Sequence, residues 1–494
     1  MSTYARVVQS ILTLGAGQAL SWIGAIVLLA LLPRYLGDVN LGKLTFASAL
    51  TALFGIVADL GVTTYLAKEV ARDVTLLRPL TTSVLLTRLP LSAFASALAV
   101  AFVWIAGYDD LTKHIVYVLC AGIVVGSLAN TFGAALQGLQ RMRALTASMV
   151  TGRLLQCALV AALLLNGAGP LDVAVATVFA TTIGMAVGAL ALRRELTSGP
   201  AVLRSPLLVV LGGGLPFFIW QAALVVYGQV DFILLSMLAG DAEVGWYAAA
   251  YRIVMLPAFT PIIVTTAALP ALSAIARDHA QFSGLARRSL HIITLTTVPM
   301  AFGILVLPDK LVHFLGYPET FSNSVWPMML LALHVPLAGI DMVIGTVLAT
   351  TGRQRQWAMT GVAAAVLNPA ANLVLIPLTD HLFGNGAIGA SGVTTLTEVF
   401  MLTVGLRLLP DGIVVPSTVG YVARCAAAGL LMSAVVLLVR DQPFLLVVLI
   451  GAAVYTAASF SLKTLSVAEI RTLARYVVGR TLAARPSQSG EAPA

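Results

Sequence analysis

Eight ionisable side chains lie inside long apolar stretches: the acids Asp59, Asp231, Asp341 and Glu398, and the bases Arg88, Arg153, Arg252 and Arg424. A charge in such a setting is costly unless it is paired, hydrated or in use, so each is a functional candidate. Two chemistries suit these residue types. A guanidinium offers paired donors that match a phosphate, and it can keep one carboxylate partner while doing so. A carboxylate grouped with amide and hydroxyl oxygens can hold a hard cation.

Spacing sorts the eight. At a helical rise of 1.5 Å per residue, Asp59 (before Lys68) and Arg88 (after Arg78) fall at matched depths of ~13–15 Å from one face. Asp231 and Arg252 flank the turn 240–243 and lie ~13 Å from the opposite face. Glu398 and Arg424 can match across consecutive helices. Each match reads either as a structural ion pair or as a site where the Arg also meets a ligand. Arg153 has no matched acid and is the leading contact for an anion, with Arg88 at similar depth on the other flank. Asp341 is the unmatched acid; His334 shares its helical face, as a structural His or half of a proton relay. Asn368 and Asn372, four apart beside Pro369, share a face. With Asp231 and Thr394 or Thr395 they make either an interhelical hydrogen-bond cluster or an all-oxygen cation cage.

The elements that carry these side chains are membrane helices. The chain has 494 residues, 59% hydrophobic and 10% charged, and its mean hydropathy is +0.95. Roughly a quarter of a soluble chain is charged. Fourteen apolar runs, from 8–32 to 443–461, are each long enough to cross hydrocarbon as a helix. Several contain Pro (Pro216, Pro257, Pro261, Pro299, Pro336, Pro369), as transporter helices tolerate where neighbours or water satisfy the freed backbone. With the N-terminus inside, 20 of the 29 Lys and Arg fall in inner segments and five in outer loops. That asymmetry follows the positive-inside rule and places both ends in the cytoplasm. The +8 net charge therefore points to anionic lipid headgroups and not to nucleic acid. Arg471, Arg475 and Arg480 suggest either a basic helix on the inner leaflet or a solubilising tail. Cys120, Cys157 and Cys425 fall in apolar runs, as buried reduced thiols.

The two halves repeat. LGDVNLGKLTFASA (36–49) and AGDAEVGWYAAAYR (239–252) share Gly37/Gly240, Asp38/Asp241, Gly42/Gly245 and Ala47/Ala250 at an offset of 203. Arg141 and Arg143 correspond to Arg353 and Arg355 at an offset of 212. Both matches relate a span to the one six later, so the repeats run parallel. The expected fold is all-α and polytopic, with about 14 transmembrane helices: two six-helix lobes around a central cavity, plus two C-terminal helices. The lobes are expected at 1–192 and 206–411, with a cytoplasmic linker 193–205, helices 13 and 14 in 412–462 and a basic tail 463–494. Gly37–Lys43 spells GxxxxGK, but Leu44 stands where a magnesium-binding hydroxyl is needed and no strand precedes it. With no other nucleotide, metal-cluster or triad pattern and no large extramembrane loop, the chain reads as a transporter and not an enzyme.

Three stretches carry a resemblance: ADLGVTTYLAKEVAR (58–72), VDFILLSMLAGDAEVGWYAAAYRI (230–253) and LNPAANLVLIPLTDHLFGNGAIGAS (367–391). The sequence resembles the Wzx-type polysaccharide flippases of the multidrug/oligosaccharidyl-lipid/polysaccharide exporter superfamily. The resemblance implies alternating access, an inner (plasma) membrane location and a polyprenyl-pyrophosphate-linked oligosaccharide as cargo for polysaccharide or O-antigen synthesis. It also implies polymerase machinery as a partner, no cofactor beyond sodium or a proton as coupling ion, and sodium as the cation at Asp231, Asn368 and Asn372. Within the superfamily the alternatives are a cation-coupled multidrug exporter, for which intramembrane Arg is unsuited, and a lipid II flippase, for which helix 1 lacks an Arg.

Overall fold

The structure, a computed structural model, describes residues 3–197 and 206–465. Its helices in chain order begin with α1 (Thr3–Asp59), α2 (Val62–Arg72), α3 (Leu77–Ile105), α4 (Asp110–Gly138), α5 (Met142–Leu165) and α6 (Pro170–Ala191). After a single turn, α7 (Arg193–Leu196), come α8 (Pro206–Leu238), α9 (Asp241–Val254), α10 (Phe259–Ala274) and α11 (His279–Val306). The short α12 (Pro308–Phe314) precedes α13 (Val325–Thr350), α14 (Gln354–Phe383), α15 (Gly386–Leu408), α16 (Pro416–Leu438) and α17 (Phe444–Ser461). Arg471, Arg475 and Arg480 lie outside the described residues.

Thirteen stretches among the described residues are long and apolar enough to span a bilayer. The first, Leu20–Asp59, has 40 residues. Straight, it would measure about 60 Å against a hydrocarbon thickness of ~30 Å. It is interrupted at Gly37, whose φ of 72° and ψ of 178° are not helical. Divided there, the count reaches the fourteen that hydropathy and charge predict. The outward faces are apolar: Ile105 is 87% and Leu438 85% exposed. Surface of that kind is covered by lipid, because water would leave it prone to aggregation.

Contacts divide the chain into two compact units. The larger comprises Met1–Leu256, Pro308–His334 and Gly352–Leu408. One of its cores forms where Val62, Leu66 and Val70 of α2 meet Leu80 and Val84 of α3 and Ala134–Leu136 of α4. The smaller comprises Pro257–Leu307, Val335–Thr351 and Leu409–Ala494. Leu272, Phe282, Ile293, Val347 and Ile413 form one core there, and Ala428, Met432, Val447 and Tyr455 of α16 and α17 another. Of the thiols, Cys120 and Cys425 are buried, whereas Cys157 is only half-buried.

Inside the larger unit the sequence repeat becomes a physical contact. Gly37 and Gly240, equivalent in the repeat, break their helices at the same place, Gly240 with φ 122° and ψ 175°. Both backbones exploit the freedom of a residue without Cβ. Gly42 and Gly245 then cross. A Cβ on Gly42 would sit 2.7 Å from the carbonyl carbon of Asp241, and one on Gly245 would sit 2.7 Å from that of Asp38. Gly42 touches the equivalent of the residue that Gly245 touches, so the contact is reciprocal, as at a two-fold axis. Trp246 Nε1 donates to Asp38 Oδ2 at 2.9 Å across it. Beside it, Lys43 pairs with Asp109. Burial pushes the Asp109 carboxyl up, but hydrogen bonds from Lys43 and Thr112 outweigh it and hold the group below its usual range.

Candidate functional site

The first cluster is built on Arg88 of α3. Its side chain is fully buried, and both Nη groups are hydrogen-bonded while Nε has no partner among the described residues. One Nη pairs with Asp59 and donates to Thr63 Oγ1 at 2.6 Å. The other donates to Thr131 Oγ1 at 2.7 Å and to the Ser127 carbonyl. Asp59 also accepts from Thr63. The depth-matched pairing of Asp59 with Arg88 thus forms, but it corrects the picture of Arg88 flanking an anion: this guanidinium is sealed behind its partners.

Asp59 faces a cavity of about 390 Å³ lined by α1, α4 and α6, with Ser48, Thr51, Ser127, Asn130, Thr177 and Thr181 among its polar lining residues. Arg153 of α5 is exposed and donates to Gln156 Oε1 at 3.3 Å; Gln156 in turn donates to Thr177 Oγ1 at 3.1 Å. Two hydrogen bonds therefore tie Arg153 to the cavity wall.

The second cluster joins α8, α9, α14 and α15. Asp231 Oδ1 accepts from Asn372 Nδ2 at 2.6 Å. Its Oδ2 accepts from Thr394 at 2.7 Å and from Tyr247 at 2.9 Å. Asn372 also donates to Asn368 Oδ1 at 3.0 Å. All four polar side chains around Tyr247 are buried, with Asn368 and Asn372 at 0% exposure. Thr395 points elsewhere, donating to the Leu330 carbonyl at 2.9 Å. Asn372 Oδ1 and Asn368 Nδ2 are buried without a hydrogen-bond partner. Turning the Asn372 amide over would bring its carbonyl oxygen to the carboxylate, an orientation set only by the surrounding network. The set is then carboxylate, amide and hydroxyl oxygens, which fits a hard cation. Among the described residues no group of three His, Cys, Asp or Glu could hold a metal.

The expected Asp231–Arg252 pair does not form. Tyr247 and Arg252 are five residues apart on α9, which turns the two side chains about 140° from each other. Tyr247 therefore meets Asp231 while Arg252 faces α1, donating to Thr45 Oγ1 at 3.5 Å. Arg252 Nη1 is buried with no hydrogen-bond partner among the described residues. Glu398 belongs to the larger unit and Arg424 to the smaller, and each has a partner within its own. Glu398 accepts from Tyr227 at 2.6 Å. Arg424 folds back on α16, with its Nε donating to the Gly420 carbonyl at 3.2 Å and its guanidinium 6.0 Å from the Tyr421 ring. His334 and Asp341 are both buried, at 6% and 5% exposure, on either side of Pro336 in α13.

A model of the polysaccharide biosynthesis protein family matches residues 7–276, more than half of the chain. The chain belongs to this family. A second model, that of the MatE family, matches residues 216–374. Among curated proteins the polysaccharide biosynthesis chain is 22% identical over 211 residues to the probable low-salt glycan biosynthesis flippase Agl15 of Haloferax volcanii. That alignment covers 42% of this chain and 43% of the relative, so it spans less than half of either. Among solved structures the fold is similar to the lipid II flippase MurJ in an inward closed conformation, with a TM-score of 0.71 and 14% identity over 92% of this chain and 98% of that one. A multidrug resistance MATE transporter of the MOP superfamily, inward-facing, gives a TM-score of 0.58 with 17% identity over 81% and 97%. The family and the fold agree with the resemblance read from the sequence: a multi-pass membrane protein of the flippase-containing superfamily.

Sequence reasoning missed Tyr227 and Tyr247, which complete the carboxylate sites of this family member. Tyr247 stands inside the quoted VGWYAAAY motif, so the signal was present but read as a fold signature. It also missed the cavity hydroxyls, because Ser and Thr in a membrane helix usually satisfy themselves on their own backbone.

Proposed function

We propose that the protein flips a polyprenyl-pyrophosphate-linked oligosaccharide from the inner to the outer leaflet of the inner (plasma) membrane, by alternating access, for polysaccharide or O-antigen synthesis. The observation that carries this reading is the family match over residues 7–276. The polyprenyl tail stays in lipid while headgroup and glycan cross through protein, with both termini cytoplasmic and the Gly42–Gly245 seam on the outer side. The product would then be handed to polymerase machinery.

An anionic headgroup needs a cation that is available. Arg252, half-buried beneath the seam and with no carboxylate paired to it among the described residues, supports the reading, whereas Arg88 is fully buried and already paired with Asp59. In a flipping assay, Arg252→Ala should reduce transport by roughly 10²-fold, the loss of one bidentate charged contact. Arg252→Lys should restore only part, since an ammonium keeps the charge and loses the fork. Full activity in Arg252→Ala at normal abundance would remove Arg252 from the headgroup path.

The MatE match over 216–374 favours one other reading, a cation-coupled multidrug exporter. It requires a cationic cargo, for which buried arginines are poorly placed. Coupling by sodium or a proton is compatible with either cargo, and we assign it to the Asp231 cluster. Asp231→Asn and Asn372→Leu should each abolish the dependence of transport on the ion gradient. Retained dependence in both, at unchanged protein levels, would reduce the cluster to helix packing.

A further inference from the structure

We infer that the cavity among α1, α4 and α6 is a binding site for neutral sugar units, an assignment that rests on the proposed cargo and names the part of it held here. Its volume, about 390 Å³, lies within the range of roughly 300–1,000 Å³ usual for small-molecule sites.

The hydroxyls and the carboxylate of the lining present mainly acceptors. Thr51, Thr177 and Thr181 donate their hydroxyl protons at 2.8 Å to the carbonyls of Ala47, Val173 and Thr177. A hydroxyl whose proton is engaged on its own helix presents lone pairs to whatever lies in front of it. Asp59 adds another acceptor: Oδ1 takes Thr63 and Arg88, while Oδ2 receives no hydrogen bond among the described residues. Apart from the Asn130 amide, which can donate as well as accept, the walls accept, and a ligand that fits them must donate.

Three ligand chemistries can be compared on that basis. An ionised phosphate brings acceptors only; Arg88 is at 0% exposure behind Asp59, and Arg153, though exposed, is not among the residues that line the cavity and donates to Gln156 behind its wall. A cation would find the Asp59 charge already met by Arg88. A polyhydroxyl ring brings several neutral donors and needs no net charge opposite it. The floor suits a ring as well. Gly55, Gly122 and Gly126 line the cavity, and a Cβ on Gly126 would meet nothing within 4 Å. The missing side chain at Gly126 leaves open space in which a pyranose ring can lie against the helix, with Arg153 joined to the same wall through Gln156 and Thr177.

The test uses the full chain in lipid nanodiscs. Asn130 is exposed at the cavity, so Asn130→Cys can be followed by its rate of maleimide labelling, with the parent chain as background for the native cysteines. Probes are a panel of neutral hexoses and N-acetylhexosamines at high millimolar concentration, with inorganic pyrophosphate and choline as anionic and cationic comparisons. A sugar at twice its Kd should slow labelling about threefold, since two-thirds of sites are then covered. Adding Gly126→Leu, which fills the open space, should remove that protection. Pyrophosphate and choline should give none. Sugars that fail to slow labelling, protect equally in Gly126→Leu, or do no better than choline or pyrophosphate would overturn the assignment. Protection by sugar in a protein that moves no lipid-linked glycan would leave this site standing and remove the proposed transport.

Discussion

Alanine at Gly42 or at Gly245 should destabilise the protein by about 3 kcal/mol, the upper end of the cost of overpacking. A single methyl group is enough because what it meets is backbone. Each Cβ would come within 2.7 Å of a carbonyl carbon, in Asp241 or Asp38, and neither can rotate away as a side chain would. The helices themselves must separate. Because the contact is reciprocal, the two substitutions should have similar effects, and the double variant should cost less than their sum, since the first separation makes room for the second. Thermal unfolding in detergent measures this, with Gly228→Ala as the comparison. A Cβ at Gly228 meets nothing within 4 Å, so that change should be neutral or stabilise by roughly 0.5–1 kcal/mol through helix propensity. If Gly42→Ala and Gly245→Ala behave like Gly228→Ala, the repeats do not touch in the way described.

Removing Arg88 should cost still more, about 3–5 kcal/mol, because it leaves the Asp59 carboxylate without its counter-charge inside the membrane region. The guanidinium is also the shared partner of Thr63, Thr131 and the Ser127 carbonyl, which lose their donor at the same time. Arg88→Ala is therefore expected to lower abundance and thermal stability together. The double variant Asp59→Asn/Arg88→Met should recover much of the loss, since an apolar chain of similar length no longer leaves a charge behind. Transport would separate the two roles the sequence allows. Loss of transport in Arg88→Ala with unchanged melting temperature would make Arg88 a cargo contact after all.

The sequence made the spans and the repeat legible because both depend on quantities summed along the chain. Hydropathy and basic loop residues locate each crossing, and Gly37, Asp38 and Gly42 recur as Gly240, Asp241 and Gly245 at one constant offset. Depth, too, is a sum, at 1.5 Å per residue, which is why Asp59 and Arg88 were matched. Depth says nothing about azimuth. Asp231 and Arg252 lie at equal depths yet meet different helices, because five residues of α9 turn Arg252 toward α1 and Tyr247 toward α8. Asn368 and Asn372 escaped this ambiguity because a four-residue spacing fixes a common face. The cavity was not legible at all. Its lining comes from α1, α4 and α6, with no residue type that stands out in any one of them, and only packing brings the hydroxyls to a common space.

The most direct test of the central proposal is flipping in proteoliposomes that contain the purified chain and a fluorescent polyprenyl-pyrophosphate-linked oligosaccharide. Quenching by a membrane-impermeant reductant then counts the labelled headgroups in the outer leaflet. The wild-type chain should make nearly all of the label accessible in time, whereas liposomes with the Arg252→Ala variant should stay near the half that faces outward at the start. Equal accessibility with wild-type protein, with the variant and with empty liposomes, alongside gradient-driven uptake of a cationic dye by the wild type alone, would contradict the flippase reading and favour the drug exporter.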